Sequence, residues 1–244
     1  MKLEVKNLEK KFQNFTAVNN INFLINEGKT LGLLGPNGCG KTTTIGMLLG
    51  LIKPSRGEIL INGENFEKLN REKVLSKINF ASPYVELPKK LTVKENLEIY
   101  GRLYGIEYLS ERIIELSEDL NLSSFINKKT GELSSGQKNR VSLAKSLINK
   151  PEILFLDEPT ASLDPDIGDY VRKYIEEYKS KNRITILLAS HNMKEVERLC
   201  DEVIMMKEGK IVDRGTCKSL IDKHGRNNLE DTFLKIARNK NELG

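Results

Sequence analysis

The clearest chemical pattern in the chain is a glycine-rich loop that ends in a lysine and a threonine. It reads Gly35-Pro36-Asn37-Gly38-Cys39-Gly40-Lys41-Thr42 and is followed by Thr43. The backbone N–H groups of such a loop, with the N-terminus of a following helix, bind the oxygens of a triphosphate. Lys41 would reach the β- and γ-phosphates, and the Thr42 hydroxyl would ligate Mg²⁺. Taken alone, the pattern predicts a site for ATP or GTP with magnesium.

Two acidic residues follow an apolar run further along the chain. The run is 153–156, and Asp157 and Glu158 come directly after it. Ligands of open α/β sheets gather at the carboxyl ends of the strands, so Asp157 is expected to hold Mg²⁺ through water. Glu158 would polarise the attacking water as a general base. A buried strand with acids at a turn is the alternative, and the phosphate loop disfavours it.

Strands and helices must hold these residues in place. The apolar run 30–34 predicts a buried strand before the loop, and 43–49 predicts a helix after it, with Gly50 as a C-cap. The runs 153–156 and 184–188 are continuously apolar, as is typical of parallel strands covered on both faces. Residues 166–181 read as the helix between them.

The remaining segments predict two further layers of structure. Short strands are expected at 3–5, 18–25 and 58–61, with a hairpin through Glu208-Gly209, whereas 92–150 has helical patterning. The predicted fold class is α/β: a P-loop NTPase core with a mostly parallel sheet, an antiparallel β subdomain and an inserted α-helical subdomain. We expect one domain over 1–220, with the helical insertion at about 84–150, and a partly helical tail over 221–244.

Composition narrows the function classes. The chain has 39 basic and 34 acidic side chains, a net charge of +5, and the basic residues are scattered. That pattern favours a solvated surface over a nucleic-acid partner. Cys39, Cys200 and Cys217 form no C-x-x-C pair, which suggests a reducing compartment. No run approaches the roughly 18 to 20 apolar residues that span a bilayer. If the protein acts at a membrane, we expect it to do so by binding another chain.

A third motif narrows the prediction to one family. Leu133-Ser134-Ser135-Gly136-Gln137 opens a predicted helix, with Ser134 as its N-cap. With the loop and the acidic pair in this order, the chain resembles the ATP-binding cassette (ABC) family, whose signature reads L-S-G-G-Q. The resemblance covers about 3–212. It implies that two cassettes enclose two ATP molecules, and that Ser134, Gly136 and Gln137 contact the γ-phosphate of ATP bound to the opposite subunit.

The resemblance also assigns roles to residues outside the motifs already named. Ala161-Ser162-Leu163-Asp164 matches the D-loop at the dimer interface, and His191 matches the switch histidine that contacts the γ-phosphate. Phe12 matches the aromatic residue that stacks on adenine. A core aromatic is the alternative for Phe12, because Phe15 and Phe23 are close in sequence.

One position departs from the family pattern. The family has a Gln before the helical insertion that helps to bind Mg²⁺, whereas 78–84 contains none. Pro83, or alternatively Ser82, occupies its place. Proline offers no ligand and serine has a shorter reach, so we hypothesise that the metal contact is weakened or passes through water. Ser135 replaces the first glycine of the signature, and its small size predicts that this is tolerated.

The leading functional prediction is an ATP-hydrolysing subunit of an ABC transporter that powers a separate membrane permease through ATP-driven dimerisation. The dimer would form with a second copy of the chain or with a similar chain. It would lie on the cytoplasmic face of the membrane, and no nucleic-acid partner is expected. The stretch 229–234 resembles the tail of exporter-type cassettes and favours export. One alternative is a soluble ABC ATPase that acts on ribosomes or nucleic acid. Another is a cassette that binds ATP but hardly hydrolyses it, which the missing Gln supports and which Glu158 and His191 oppose.

Overall fold

The computed structural model describes residues 1–83 and 85–238, so the last part of the predicted tail, 239–244, lies outside the described residues. The chain forms two compact units. The first unit contains residues 1–71 and the chain from Thr185 onwards, and the second unit contains Glu72–Ile184.

The described strands and helices are numbered here in chain order. The strands are β1 Leu3–Phe12, β2 Phe15–Ile25, β3 Thr30–Leu34, β4 Arg56–Ile61, β5 Glu64–Asn65, β6 Ile78–Ala81, β7 Ile153–Asp157, β8 Thr185–Ala189, β9 Glu202–Lys207 and β10 Lys210–Gly215. The helices are α1 Lys41–Leu48, α2 Arg71–Leu75, α3 Val93–Leu103, α4 Leu109–Asp119, α5 Ser135–Leu147, α6 Pro165–Asn182, α7 Met193–Leu199, α8 Cys217–His224 and α9 Leu229–Arg238.

An antiparallel sheet forms one part of the first unit. Its strand order is β2-β1-β4-β5, and Leu3 pairs with Ile25 on one side and Ile61 on the other. The Asn62-Gly63 turn joins β4 to β5 with φ values of 52° and 87°. Both residues lie in the left-handed region that a tight hairpin turn requires, so the sequence Asn-Gly explains this connection.

The other strands of the first unit are mainly parallel. Strand β3 pairs in parallel with β8 on one side and β9 on the other, and β10 is antiparallel to β9. Every residue of β3 and of β8 is buried. Continuous apolar sequence is expected where both faces of a parallel sheet are covered. Helices α7, α8 and α9 pack near this sheet around Leu34, Val203 and Leu229.

The second unit combines a parallel strand pair with helices. Strand β6 pairs in parallel with β7, in a register that places Ala81 opposite Leu156. Helix α3 begins with a capping box: Thr92 Oγ1 accepts from Glu95 N (3.1 Å), and Thr92 N donates to Glu95 Oε2 (2.7 Å). Leu97, Leu116 and Val141, on α3, α4 and α5, have no exposed surface.

The predicted fold class is confirmed: the chain is α/β, with a mostly parallel core, an antiparallel sheet and helices. Most predicted elements are present, but β1 and β2 extend to Phe12 and back to Phe15, well beyond the short strands predicted. No described helix is long and apolar enough to cross a bilayer.

Candidate functional site

The glycine-rich loop follows β3 and needs its glycines for steric reasons. A Cβ on Gly35 would lie 2.4 Å from Cys39 Sγ and 2.5 Å from the backbone oxygen of Met206. Gly40 has φ 108° and ψ 2°, and a Cβ there would lie 2.5 Å from Ala17 O. Contacts this short exclude a side chain at either position, so the loop's course depends on both glycines.

The N-terminus of α1 is suited to binding an anion. Gly40 is the N-cap and supplies no side-chain oxygen to the helix, and Lys41, Thr42 and Thr43 form the first turn. The first N–H groups of a helix have no acceptor inside it, and the helix dipole makes this end positive. Beside the loop, a Cβ on Gly38 would meet no described atom within 4 Å, so there is open space next to these donors.

Lys41 already lies over the loop. Its Nζ donates to Gly35 O (2.6 Å) and Pro36 O (3.2 Å), which holds a positive charge at the same place as the helix N-terminus. Cys39 is buried, and burial raises the pKa of its thiol, so this side chain fills space as a neutral group. A cation, helix N–H groups and open space together fit the phosphates of a nucleotide.

His191 and the glycine-rich loop both follow the carboxyl ends of parallel strands in the first unit. It comes two residues after the end of β8, and the pairing of Leu33 with Ala189 brings the carboxyl ends of β3 and β8 to one edge. His191 is exposed, and Asn192 after it caps α7 by accepting from Glu195 N (3.3 Å). The loop and this histidine therefore emerge from neighbouring strands.

The aromatic residues near the N-terminus separate into two kinds. Phe23 is buried, whereas Phe12 and Phe15 are 46% and 62% exposed and are paired across the tip of the β1–β2 hairpin. The core-aromatic alternative therefore applies to Phe23 and not to Phe12. Lys10 Nζ lies 4.9 Å from the centroid of the Phe12 ring. Phe15 is a second exposed ring that the sequence did not single out.

The acidic pair ends β7 in the second unit. Asp157 is the last residue of the strand, and Glu158 has φ 52°, in the left-handed region. A non-glycine residue there is uncommon and carries a conformational cost, which is often found at functional sites. Asp157 and Glu158 are both partly buried residues.

The segment that lacks the Gln meets Asp157 through its serine. Because β6 and β7 are parallel, Ser82 follows β6 where Asp157 ends β7, and Ser82 Oγ donates to Asp157 Oδ2 at 3.4 Å. Ser82 is buried, at 3% exposed. Of the two candidates for the Gln position, Ser82 is thus the one whose side chain contacts the predicted metal-binding carboxylate.

The signature segment opens α5 with a second capping box. Ser134 Oγ accepts from Gln137 N (3.2 Å), and Gln137 Oε1 accepts from Ser134 N (3.0 Å). Because both oxygens accept, the Ser134 O–H and the Gln137 amide NH₂ can donate to an anion beyond the helix N-terminus. Ser134 and Ser135 are exposed.

The signature also lies against the predicted D-loop. A Cβ on Gly136 would be 3.3 Å from Leu163 Cδ2, and Asn139 Nδ2 donates to Ala161 O (2.9 Å). Asn139 was not predicted as a site residue, although it is a polar residue next to the apolar positions of this helix. Among the described residues no group of three or more His, Cys, Asp or Glu side chains forms a metal site. Phosphate, hydroxyl and single carboxylate oxygens are ligands that suit Mg²⁺.

The strand–loop–helix arrangement with a lysine over the loop defines a P-loop nucleotide-binding protein. The ABC transporter family model matches residues 18–161, and the chain belongs to the ABC transporter family of ATPases. It is 36% identical to the ABC transporter ATP-binding protein NatA of Bacillus subtilis, over 91% of both chains. It is 36% identical to the Nod factor export ATP-binding protein I of Burkholderia lata, over 90% of this chain and 72% of that protein.

Solved structures agree with this family. One, described as the ATP-binding subunit of an ABC transporter, has a TM-score of 0.88 and 26% identity, and covers 98% of this chain and 100% of that one. Another, a dimeric cassette in a post-hydrolysis state bound to ADP and Pi, has a TM-score of 0.80 and 27% identity, over 88% of this chain and 98% of that one. The predicted family, fold and ATPase class are therefore confirmed.

Proposed function

We propose that this chain is the ATP-hydrolysing subunit of an export transporter and that it works as a dimer with a second cassette. The observation that carries the proposal is the exposed signature: Ser134 and Ser135 lie at a helix N-terminus, and the capping box uses the Ser134 and Gln137 oxygens as acceptors and does not use their donors. A dimeric solved relative and relatives named for export support it.

In this proposal the residues of each unit have separate tasks. In the first unit, the loop from Gly35 to Thr43 and Lys41 bind the phosphates, Phe12 stacks on the base, and His191 contacts the γ-phosphate. In the second unit, Glu158 accepts a proton from the attacking water. Thr42 and Asp157 would hold Mg²⁺, which neutralises phosphate charge when bound.

The signature would complete the nucleotide site of the second cassette. Ser134, Gly136 and Gln137 are the residues proposed to contact the γ-phosphate bound by the partner. The helix dipole of α5 favours an anion at that point. This gives a physical reason for ATP to join two subunits, since each γ-phosphate would be attracted to a helix N-terminus of the other subunit.

A membrane permease is the proposed second partner. The second unit contains a groove of about 230 Å³ next to the Gln-lacking segment, lined in part by Pro83, Val85, Leu87 and Val141. Its lining combines these apolar side chains with charged ones such as Glu86 and Lys89, which suits an amphipathic helix of the permease. We propose the domain limits 1–220, with an insertion at 84–150 and a tail over 221–244, and a place on the cytoplasmic face of the membrane.

Replacing Glu158 by Gln tests the catalytic assignment. Removing a general base is expected to lower the rate of ATP hydrolysis by roughly 10²–10⁴-fold, while the isosteric amide leaves ATP binding intact. With ATP and Mg²⁺ the variant should accumulate as a dimer, measured by size-exclusion chromatography with light scattering. Glu152→Gln is the control, because Glu152 is an exposed partner of Lys77 before the same strand. Normal hydrolysis by Glu158→Gln would refute the role of Glu158.

A further inference from the structure

Three polar side chains line one side of the signature helix α5. Asn139, Ser142 and Lys145 are spaced by three residues, and they are 4%, 5% and 9% exposed. Residues three apart lie on neighbouring positions of one helix face. Burying an amide, a hydroxyl and an ammonium is costly unless each forms a hydrogen bond, so their partners show what these residues do.

Each of the three donates to a backbone carbonyl outside the helix. Asn139 Nδ2 donates to Ala161 O (2.9 Å), Ser142 Oγ to Ser82 O (3.2 Å) and Lys145 Nζ to Phe80 O (2.9 Å). We call Asn139, Ser142 and Lys145 the donor stripe. All three acceptors belong to segments that carry proposed site residues.

Two members of the donor stripe hold the segment that lacks the Gln. Ser142 and Lys145 fix the carbonyls of Ser82 and Phe80, and Ser82 Oγ in turn donates to Asp157 Oδ2 (3.4 Å). A serine side chain has one rotatable bond before its hydroxyl, so the position of that hydroxyl follows the backbone closely. A continuous series of contacts thus joins α5 to the Asp157 carboxylate within one unit.

Burying Lys145 costs more free energy than burying Asn139 or Ser142, because an ammonium carries a charge. Its ammonium also lies 5.5 Å from the centroid of the Tyr100 ring, and burial lowers its pKa to about 8. An apolar residue would avoid this cost. The hydrogen bond to Phe80 O and the contact with the Tyr100 ring are therefore the two interactions that the lysine adds at this position.

We propose that Ser142 and Lys145 are positioning residues that make the metal side of each nucleotide site depend on the signature helix of the same cassette. This rests on the proposed function, in which the start of α5 contacts the γ-phosphate bound by the partner. Because Ser142 and Lys145 hold the backbone at Ser82 and Phe80, the position of α5 determines where the Ser82 hydroxyl lies beside Asp157.

Mn²⁺ binding, a readout other than turnover, tests the proposal. In the 244-residue chain carrying Glu158→Gln, ATP is kept well below the protein concentration so that all of it is bound, Mn²⁺ is titrated, and the free ion is measured by electron paramagnetic resonance. Ser142→Ala should weaken Mn²⁺ binding by about 3-fold, less than the roughly 10-fold typical of direct partners of a metal ligand, because Ser142 acts on Asp157 through Ser82. Ser142→Thr keeps a hydroxyl donor and should restore most of the affinity.

Ser146→Ala is the matched control. Ser146 is also fully buried on α5, but its Oγ donates to Leu143 O (2.7 Å) within the helix. Thermal unfolding should show similar losses of stability for Ser142→Ala and Ser146→Ala, with weaker Mn²⁺ binding only in the former.

Two outcomes would overturn the proposal. Unchanged Mn²⁺ affinity in a folded Ser142→Ala protein is one, and an equal loss in Ser146→Ala is the other. If Ser142→Ala does not fold, Lys145→Met and Lys145→Arg are compared in the same titration, and equal affinities would overturn the proposal. Failure of the proposed function looks different, because the Glu158→Gln parent itself would then neither bind Mn²⁺ with ATP nor form a dimer.

Discussion

Single buried polar side chains set the geometry of the second unit. Ser82 contacts Asp157 at 3.4 Å, and Lys145 and Ser142 hold the backbone around Ser82. The hypothesis of a weakened or water-mediated metal contact was based on the short reach of serine. The structure adds that the Ser82 hydroxyl hydrogen-bonds to the carboxylate, so its effect on a metal can be exerted through the orientation of Asp157.

The lowered pKa of Lys145 should make the free energy of unfolding depend on pH. Its pKa is lowered to about 8 by burial, against about 10.4 for an unperturbed lysine. Between these values the unfolded chain binds more protons than the folded chain, so this group makes the free energy of unfolding rise with pH. The rise is on the order of 2–3 kcal/mol between pH 8 and 10.5. It should be absent in Lys145→Met, as measured by urea unfolding at several pH values.

Lys138→Met is the control for this experiment. Lys138 is exposed on the same helix, so its replacement removes an equal charge without removing a buried one. The difference in unfolding free energy between the wild type and Lys145→Met should be constant below pH 8 and change above it. If the difference in unfolding free energy stayed the same from pH 7 to pH 10.5, burial would not lower the pKa of Lys145 in the folded chain.

At the scale of elements, the ends of helices were the best predicted features. Ser134 was expected as an N-cap, and Ser134 and Thr92 both form capping boxes in which side chain and backbone bond in both directions. Capping depends on residues only three apart, so local sequence is enough to predict it. The second capping box also orients the signature donors, which connects helix formation to the proposed function.

Removing the first capping box should have a measurable cost. Thr92→Ala removes the oxygen that accepts from Glu95 N, and such changes cost about 1 kcal/mol of stability. Urea unfolding should show a lower midpoint for Thr92→Ala and a midpoint near that of the wild type for Thr92→Ser, which keeps the acceptor. Equal midpoints for Thr92→Ala and the wild type would mean that another group replaces the cap.

Contacts distant in sequence could not be predicted in the same way. Strand β1 continues to Phe12 although Lys6, Glu9 and Lys10 interrupt its apolar pattern, because pairing with β2 and β4 holds it extended. Helix α8 was missed because Leu220 is its single buried residue. Asn139, Ser142 and Lys145 act on carbonyls of segments that the fold alone brings near, so their roles required the structure.

At the scale of the whole molecule, the proposed site residues are divided between the two units. The phosphate loop and His191 belong to the first, whereas Asp157, Glu158 and the signature belong to the second. The motifs identified the family, since their order and spacing are specific. The roles of individual residues remain predictions. Nucleotide binding by the whole chain is the most direct test of the role proposed for the phosphate loop.

Nucleotide binding should stabilise the chain through Lys41. A ligand that binds only the folded state at 100 times its Kd adds about 2.7 kcal/mol to the free energy of unfolding. Wild-type protein with ATP and EDTA should therefore unfold at a higher temperature than without ATP, and EDTA prevents magnesium-dependent hydrolysis during the measurement. Lys41→Ala should show no such shift, because it removes the cation held over the loop by Gly35 O and Pro36 O. Lys6→Ala, which changes an exposed lysine on β1, should keep the full shift. An equal shift in Lys41→Ala would place the phosphates away from this loop.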